Sequence, residues 1–448
     1  MTSDPISRRT FIGDAAMAGA AFSIVPRHVL GRGFRAPSDT LNIACVGVGG
    51  MGRQDVTGVA GENLVALCDV DWRAANDAFS TYTKAKRYRD WREMLAKEGS
   101  GIDAVTVSTP DHNHAVIAMA ALKMGKHVYC QKPLARTIGE VRALMTEASR
   151  RPKQSTIMGN QGHANDGTRQ IREWYEAGVL GAVREVHYWT DRPIWPQAID
   201  RPTELHNPPP TLSWDLWLGP APERPYHPAY APFRWRGWWD YGTGALGDIA
   251  CHAMDAAFWT LGFQFPSRVE AESTALFPET APRASRIQYV FPARGNRPEV
   301  LVTWRDGTFY PPRPAVYDAA AQWPPHADGG QLWIGDNGQM LVADMYGRNP
   351  RLLDAKRDAE LKANPPAEKY PRLKSVYAEW IDACKAGTQP GSNFAGHAGP
   401  LTQMVLLGNL AVRSARPLTL DPSTGEITSA TTVPAEYITP VYRKGWSL

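Results

Sequence analysis

The chain has 448 residues, 43% hydrophobic and 21% charged, which excludes a disordered tail and at this length predicts two globular units. Lys plus Arg (49) barely exceeds Asp plus Glu (45), so the net charge of +4 offers no field for gripping nucleic acid. No apolar run reaches the ~18 residues of a membrane span, and a small molecule is the expected partner.

The first unit in chain order is a signal segment, residues 1–37. Ser7-Arg8-Arg9-Thr10-Phe11-Ile12 precedes a weakly apolar stretch over 15–25, the layout of a twin-arginine export signal. The expected location is therefore periplasmic or extracytoplasmic, with an uncleaved N-terminal anchor as the alternative. Arginines outnumber acids there by three, leaving the remainder nearly neutral.

From residue 41, apolar strands over 41–46, 64–68, 104–108, 127–130 and 155–158 alternate with helices over 72–84, 114–124 and 138–150. That pattern predicts a doubly wound parallel sheet, an α/β Rossmann domain over 38–160. The rest, 161–448, reads as an α+β domain. It has a helix over 166–177, a strand over 183–190, an irregular stretch over 192–241 and a helix over 246–261. Strands over 268–275, 287–291, 300–304, 332–334 and 340–342 predict a large, open, mainly antiparallel sheet. Helices over 373–386 and 401–413 follow. The five cysteines form no C-x-x-C pair and read as buried thiols.

Gly47-Val48-Gly49-Gly50-Met51-Gly52 follows the first strand and opens a helix, the context in which G-x-G-x-x-G cradles a pyrophosphate. Asp69 ends the second strand, where a carboxylate accepts from an adenine ribose and repels a 2′-phosphate, so NAD is expected over NADP. In Ser108-Thr109-Pro110-Asp111-His112-Asn113-His114, Thr109, Pro110, His112 and His114 are candidate cofactor contacts. The H-x-H has no third ligand at a supporting spacing, and no metal is expected. Gln131 and Lys132 emerge at the same mouth of the sheet, and Lys132 is placed to hydrogen-bond a substrate oxygen. Asp248 and His252, four apart on an apolar helix, predict a base oriented by a carboxylate, or else a core pair shared with Asp255. Asn160 and Gln161 fall at the domain junction, Asn160 toward the cofactor and Gln161 toward the substrate. Sixteen Trp are present, and Trp235, Trp238, Trp239 and Tyr241 lie just ahead of that helix. Their rings suit the C–H faces of sugars, with Asp240, Arg192 and Arg236 for hydroxyls; holding the long loop in place is the alternative.

The motifs GVGGMG, STPDHNHAVIAMAALKMGKHVYCQKPLA, GALGDIACHAMD and the closing YRKGW together resemble the Gfo/Idh/MocA oxidoreductases. The resemblance implies catalytic roles for Lys132 and for the Asp248/His252 pair. It also implies an open sheet used in a homo-oligomer, a dimer or tetramer. Where the family's motif has Glu, this chain has Gln131, expected to leave Lys132 more easily neutral. The surroundings of His252 do not match the Y-P-T-H-G motif of the family's exported glycosidases. The implied reaction is oxidation of a secondary hydroxyl of a sugar or glycoside by tightly bound, non-dissociating NAD. A redox-neutral glycoside cleavage and a non-catalytic sugar sensor are the alternatives.

Overall fold

A computed structural model describes residues 39–326, 328–429 and 433–448, so the segment over 1–37 read as an export signal lies outside the described residues. The first sheet has strands β1 (Asn42–Val46), β2 (Asn63–Cys68), β3 (Lys86–Tyr88), β4 (Ala104–Val107), β5 (His127–Cys130) and β6 (Thr156–Met158). They run in the order β3-β2-β1-β4-β5-β6 and every pair is parallel. Covered on both faces, such strands need no alternation, and all four residues of β4 are buried. Its helices are α1 (Gly52–Val59), α2 (Asn76–Thr81), α3 (Trp91–Glu98), α4 (Asp111–Lys123) and α5 (Ile138–Ser149). A capping box between Thr137 and Glu140 starts α5 where the apolar periodicity begins. Strand β3 and helix α3 were not predicted, because both are short and rich in charge and carry little apolar pattern.

Helix α6 (Asp166–Glu176) leads into β7 (Val183–Trp189). Seven further strands are β8 (Arg268–Ser273), β9 (Ser285–Phe291), β10 (Val300–Arg305), β11 (Gly330–Gly335), β12 (Gly338–Val342), β13 (Arg351–Leu352) and β14 (Leu418–Thr419). Together they form an eight-stranded sheet in the order β13-β12-β11-β7-β10-β9-β8-β14. The β7–β10 pair is parallel and all the others are antiparallel. The long irregular stretch holds α7 (Trp214–Leu218). The single helix predicted over 246–261 is two, α8 (Gly244–Ala253) and α9 (Asp255–Thr260), interrupted at Met254 just before a carboxylate held by other side chains. Helices α10 (Ala355–Ala363), α11 (Val376–Ala386), α12 (Gly399–Ser414) and α13 (Ala435–Ile438) complete the chain.

Helix α12 packs against α5 on the first sheet and against α8, β8 and β9 on the second. In β9 Ser285, Ile287, Tyr289 and Phe291 point inward, and a Cβ at Gly408 would lie 2.1 Å from the Tyr289 hydroxyl. Glycine there lets the helix lie flat on the strand. All five cysteines are buried free thiols, and no described helix is long and apolar enough to cross a membrane.

Candidate active site

A cleft of about 470 Å³ opens where β1, β2, β4 and β5 end, and the glycine-rich loop forms one wall. The loop is shaped by the absence of side chains: Gly47 has φ +78°, and a Cβ there would meet the Ser108 carbonyl at 2.6 Å. A Cβ on Gly52 would lie 1.8 Å from the Gly47 carbonyl oxygen. Gly47, Gly49, Gly50 and Met51 line the cleft, whereas Val48 and Gly52 are packed behind it. Asp69 accepts from the amides of Val48 (2.9 Å) and Gly49 (3.0 Å) and from Asp71 N–H (2.9 Å). Burial raises its pKa, against the pull of those bonds. The carboxylate thus sets the loop's shape from the place where a ribose would be recognised. A cradle walled largely by glycine backbone, the N-terminus of α1 and a strand-end carboxylate fit a dinucleotide.

Thr109 and Pro110 line the cleft, but His112 and His114 do not reach it. His112 contacts the carbonyls of Tyr241 (3.3 Å) and Trp217 (2.9 Å), and His114 those of Pro133 and Thr109 (both 2.8 Å). Burial lowers their pKa values to about 3 and about 4. These are ties between backbone segments, made where the helical turn aims both rings inward.

Lys132 projects from the end of β5 into the cleft, and its ammonium donates to Asp248 Oδ1 (2.9 Å) and to the Asp248 carbonyl (2.7 Å). Arg236 Nε donates to the same Oδ1 at 3.1 Å. Burial would push the Asp248 pKa up, but the two cations hold it below the usual carboxylate range. The expected Asp248–His252 pair is therefore not formed: one helical turn brings the two onto one face, yet two nearer cations take the carboxylate. His252 is 5% exposed and does not line the cleft; it packs on Tyr346 (centroids 4.9 Å apart), and its Nδ1 has no hydrogen-bond partner among the described residues. Burial, and then the Lys132 charge, lowers its pKa to about 3, so the ring is neutral.

Asp255 does not join Asp248 either. It accepts from Asn160 Nδ2 (2.6 Å), His163 Nδ1 (3.0 Å) and His397 Nε2 (2.6 Å), a fully buried cluster of metal-ligating residue types. Pairs 2.6 Å apart are hydrogen bonds, shorter than the usual spacing of two ligands on one ion. Asn160, expected at the cofactor, is committed to this cluster and to Ser392 (2.7 Å). Gln161 is also outside the cleft.

Of the expected sugar contacts only Trp235 and Arg236 line the cleft. Tyr241 is fully buried against Trp217 and Tyr230, and Trp239 lies beneath the Arg413 guanidinium. Asp240 accepts from Arg224 (2.6 Å), and Arg192 pairs with Asp191. Most of these aromatics hold the long loop together, because rings this large are stabilised most by complete burial.

Residues 41–158 match the family profile described as "Oxidoreductase family, NAD-binding Rossmann fold", and 185–296 match its "C-terminal alpha/beta domain". Together they cover just over half of the chain. The chain belongs to the Gfo/Idh/MocA oxidoreductase family. Its first domain is accordingly an NAD-binding Rossmann domain. Among curated Gfo/Idh/MocA relatives, inositol 2-dehydrogenase of Salmonella typhimurium is 28% identical over 153 residues, 33% of this chain and 45% of that protein. Levoglucosan dehydrogenase of Pseudarthrobacter phenanthrenivorans is 30% identical over 192 residues, 42% of this chain and 40% of that protein. The chain thus spans under half the length of the curated relatives it matches. An oxidoreductase domain protein from Kribbella flavida superposes with TM-score 0.59 at 21% identity, over 85% of this chain and 99% of that one. Levoglucosan dehydrogenase in complex with NADH and L-sorbose does so with TM-score 0.57 at 18% identity, over 85% and 98%. These two structures share the fold.

Within this Gfo/Idh/MocA site, sequence reasoning missed three features. Asp111 lines the cleft, 4% exposed, accepts from Thr243 Oγ1 (2.8 Å), and is raised by burial to a pKa of about 7. Arg236, named only as a hydroxyl contact, is instead the second cation on Asp248. Third, Gln131 lines the cleft but commits its side chain elsewhere than the Lys132 ammonium: Nε2 donates to both oxygens of buried Asp55 at 3.0 Å, and Oε1 accepts from the Lys132 backbone N–H at 3.3 Å. Ser108 (2.6 Å), Tyr129 (3.1 Å) and Tyr377 (2.8 Å) donate to the same carboxylate. No sequence spacing links position 55 to 131; only the adjacency of α1 and β5 does.

Proposed function

We propose that the protein is a dehydrogenase that oxidises a secondary hydroxyl of a sugar or glycoside while keeping its NAD bound. The observation that carries this reading is Lys132: its ammonium is clamped by Asp248 in the cleft that the glycine-rich loop lines. Bound NAD supplies the hydride acceptor. Lys132 hydrogen-bonds the reacting oxygen, and Asp248 with Arg236 fixes its position. His252, neutral and with an unpartnered Nδ1, takes the hydroxyl proton. The names of the relatives, which act on inositol and levoglucosan, agree with a polyhydroxylated substrate.

The export signal read over 1–37 supports an extracytoplasmic location, where no pool of free NAD exists. A coenzyme that stays bound must then be regenerated in place, by a second carbonyl substrate that is reduced to its alcohol or, in the redox-neutral route, by elimination of the glycosidic group, addition of water in its place and reduction of the substrate's ketone back to the hydroxyl. The purified protein is expected to carry nicotinamide. Incubation with free sugars and with nitrophenyl glycosides separates the routes: NADH absorbance without aglycone release marks a dehydrogenase, and release without net NADH marks the redox-neutral route. Lys132→Met and His252→Ala are each expected to lower kcat by about 10²–10⁴; undiminished turnover in either variant overturns that residue's role.

A further inference from the structure

We propose that residues 209–218 are a strap that closes over the adenosine half of the coenzyme site and retains the dinucleotide. The inference rests on the reading of a bound, retained NAD. In doubly wound folds the adenosine ribose is recognised beside the C-terminal end of β2, here at Asp69. The backbone following that strand is paired with the long loop of the second domain. Asp71 and Leu212 form an antiparallel bridge, Ser213 N–H donates to the Val70 carbonyl (2.9 Å), and Trp72 N–H donates to the Thr211 carbonyl (3.2 Å). Arg89 donates to the same Thr211 carbonyl at 2.9 Å. Leu212, Leu216 and Trp217 from the strap face the cleft together with Asp69, Asp71 and Arg73 from the Rossmann side. An apolar surface thereby lies opposite the ribose carboxylate, as a purine ring requires.

The C-terminal half of the strap is anchored from two sides. Trp217 stacks on Trp214 (centroids 4.7 Å apart) and packs edge-on against Tyr241, inside a buried cluster with Tyr230, Trp235 and Trp238. The C-terminal tail clasps the other side: Arg443 donates to the Asp215 carboxylate and to the Asp215 carbonyl (both 2.6 Å), and also to the Gly219 carbonyl. Arg443 does not line the cleft, so its removal loosens the strap without removing a wall of the site.

The test is exchange of bound NAD against radiolabelled NAD in the full-length protein. The wild type is expected to keep its coenzyme through desalting, and Arg443→Ala, with its circular dichroism unchanged, to exchange at least tenfold faster. Equal exchange in a wild type that retains NAD overturns the strap and leaves the retained-coenzyme reading standing. A wild type that loses NAD on desalting overturns retention itself. Amide hydrogen exchange of the wild type, with and without added NAD, then judges the strap independently of any variant: Trp72 and Ser213 are expected to slow when NAD is present, and unchanged rates overturn it.

Discussion

Gln131 and Asp111 show how a single residue's surroundings can reverse what its position in a motif implies. The amide of Gln131 is spent on Asp55, a carboxylate with 0% exposure that also draws donors from Ser108, Tyr129 and Tyr377. Gln131→Glu would place a second carboxylate against it, and one of the two must then be protonated. The folded variant binds more protons than its unfolded chain, so its stability falls as pH rises. Urea denaturation is expected to show a loss of about 2–3 kcal/mol at pH 8 and a smaller one at pH 5; equal midpoints for variant and wild type at pH 8 contradict this. Asp111 obeys the same sign. Its folded pKa of about 7 exceeds the ordinary 3.8, so its contribution to stability declines as pH rises from about 4 to 7. Asp111→Asn keeps the Thr243 bond and removes that decline. Melting temperatures should therefore favour the variant increasingly from pH 5 to pH 8, and a constant difference between the two proteins would refute the assignment. Lys132 was legible as a candidate because its motif directly follows a strand end. Its partners Asp248 and Arg236 were not, since a spacing of four names Asp248 and His252 as neighbours but says nothing about which cations approach from other segments.

At the scale of elements, the glycine-rich turn was readable because it is local: strand, turn and helix lie within eighteen residues and the glycines are steric requirements. Gly52→Ala would bring a Cβ to 1.8 Å from the Gly47 carbonyl, and backbone must shift to admit it. The variant is expected to lose bound nicotinamide and about 2 kcal/mol or more of stability; full nicotinamide content after desalting would contradict this. The long loop over 192–241 was read in outline only. Its tryptophans suggested stacking on sugars, whereas Trp217, Trp235 and Trp238 belong to the buried interior of the loop, and of these Trp217 and Trp235 also face the cleft. Composition could not separate the two outcomes, because aromatic residues serve either purpose and only the fold of an aperiodic segment assigns them.

For the molecule as a whole, α12 is shared between the two sheets, touching α5 on one side and α8, β8 and β9 on the other. Leu407, fully buried on this helix, is expected to cost about 2–5 kcal/mol on truncation to Ala. Calorimetry should show the two sheets lose stability together, in one transition; two separated transitions, only one of them shifted by Leu407→Ala, would show that they unfold independently. The sequence by itself determined the parallel sheet, the coenzyme loop, the second sheet and the lysine at the strand end, because hydrophobic period and steric glycine requirements act over a few residues. Tertiary structure alone decided that Asp248 serves Lys132 and not His252, that Asn160 and two distant histidines converge on Asp255, and that the C-terminal tail fastens the loop beside the coenzyme site. Those outcomes depend on which charges and donors meet in a dry interior, and burial makes the nearest partner decisive whatever its distance along the chain.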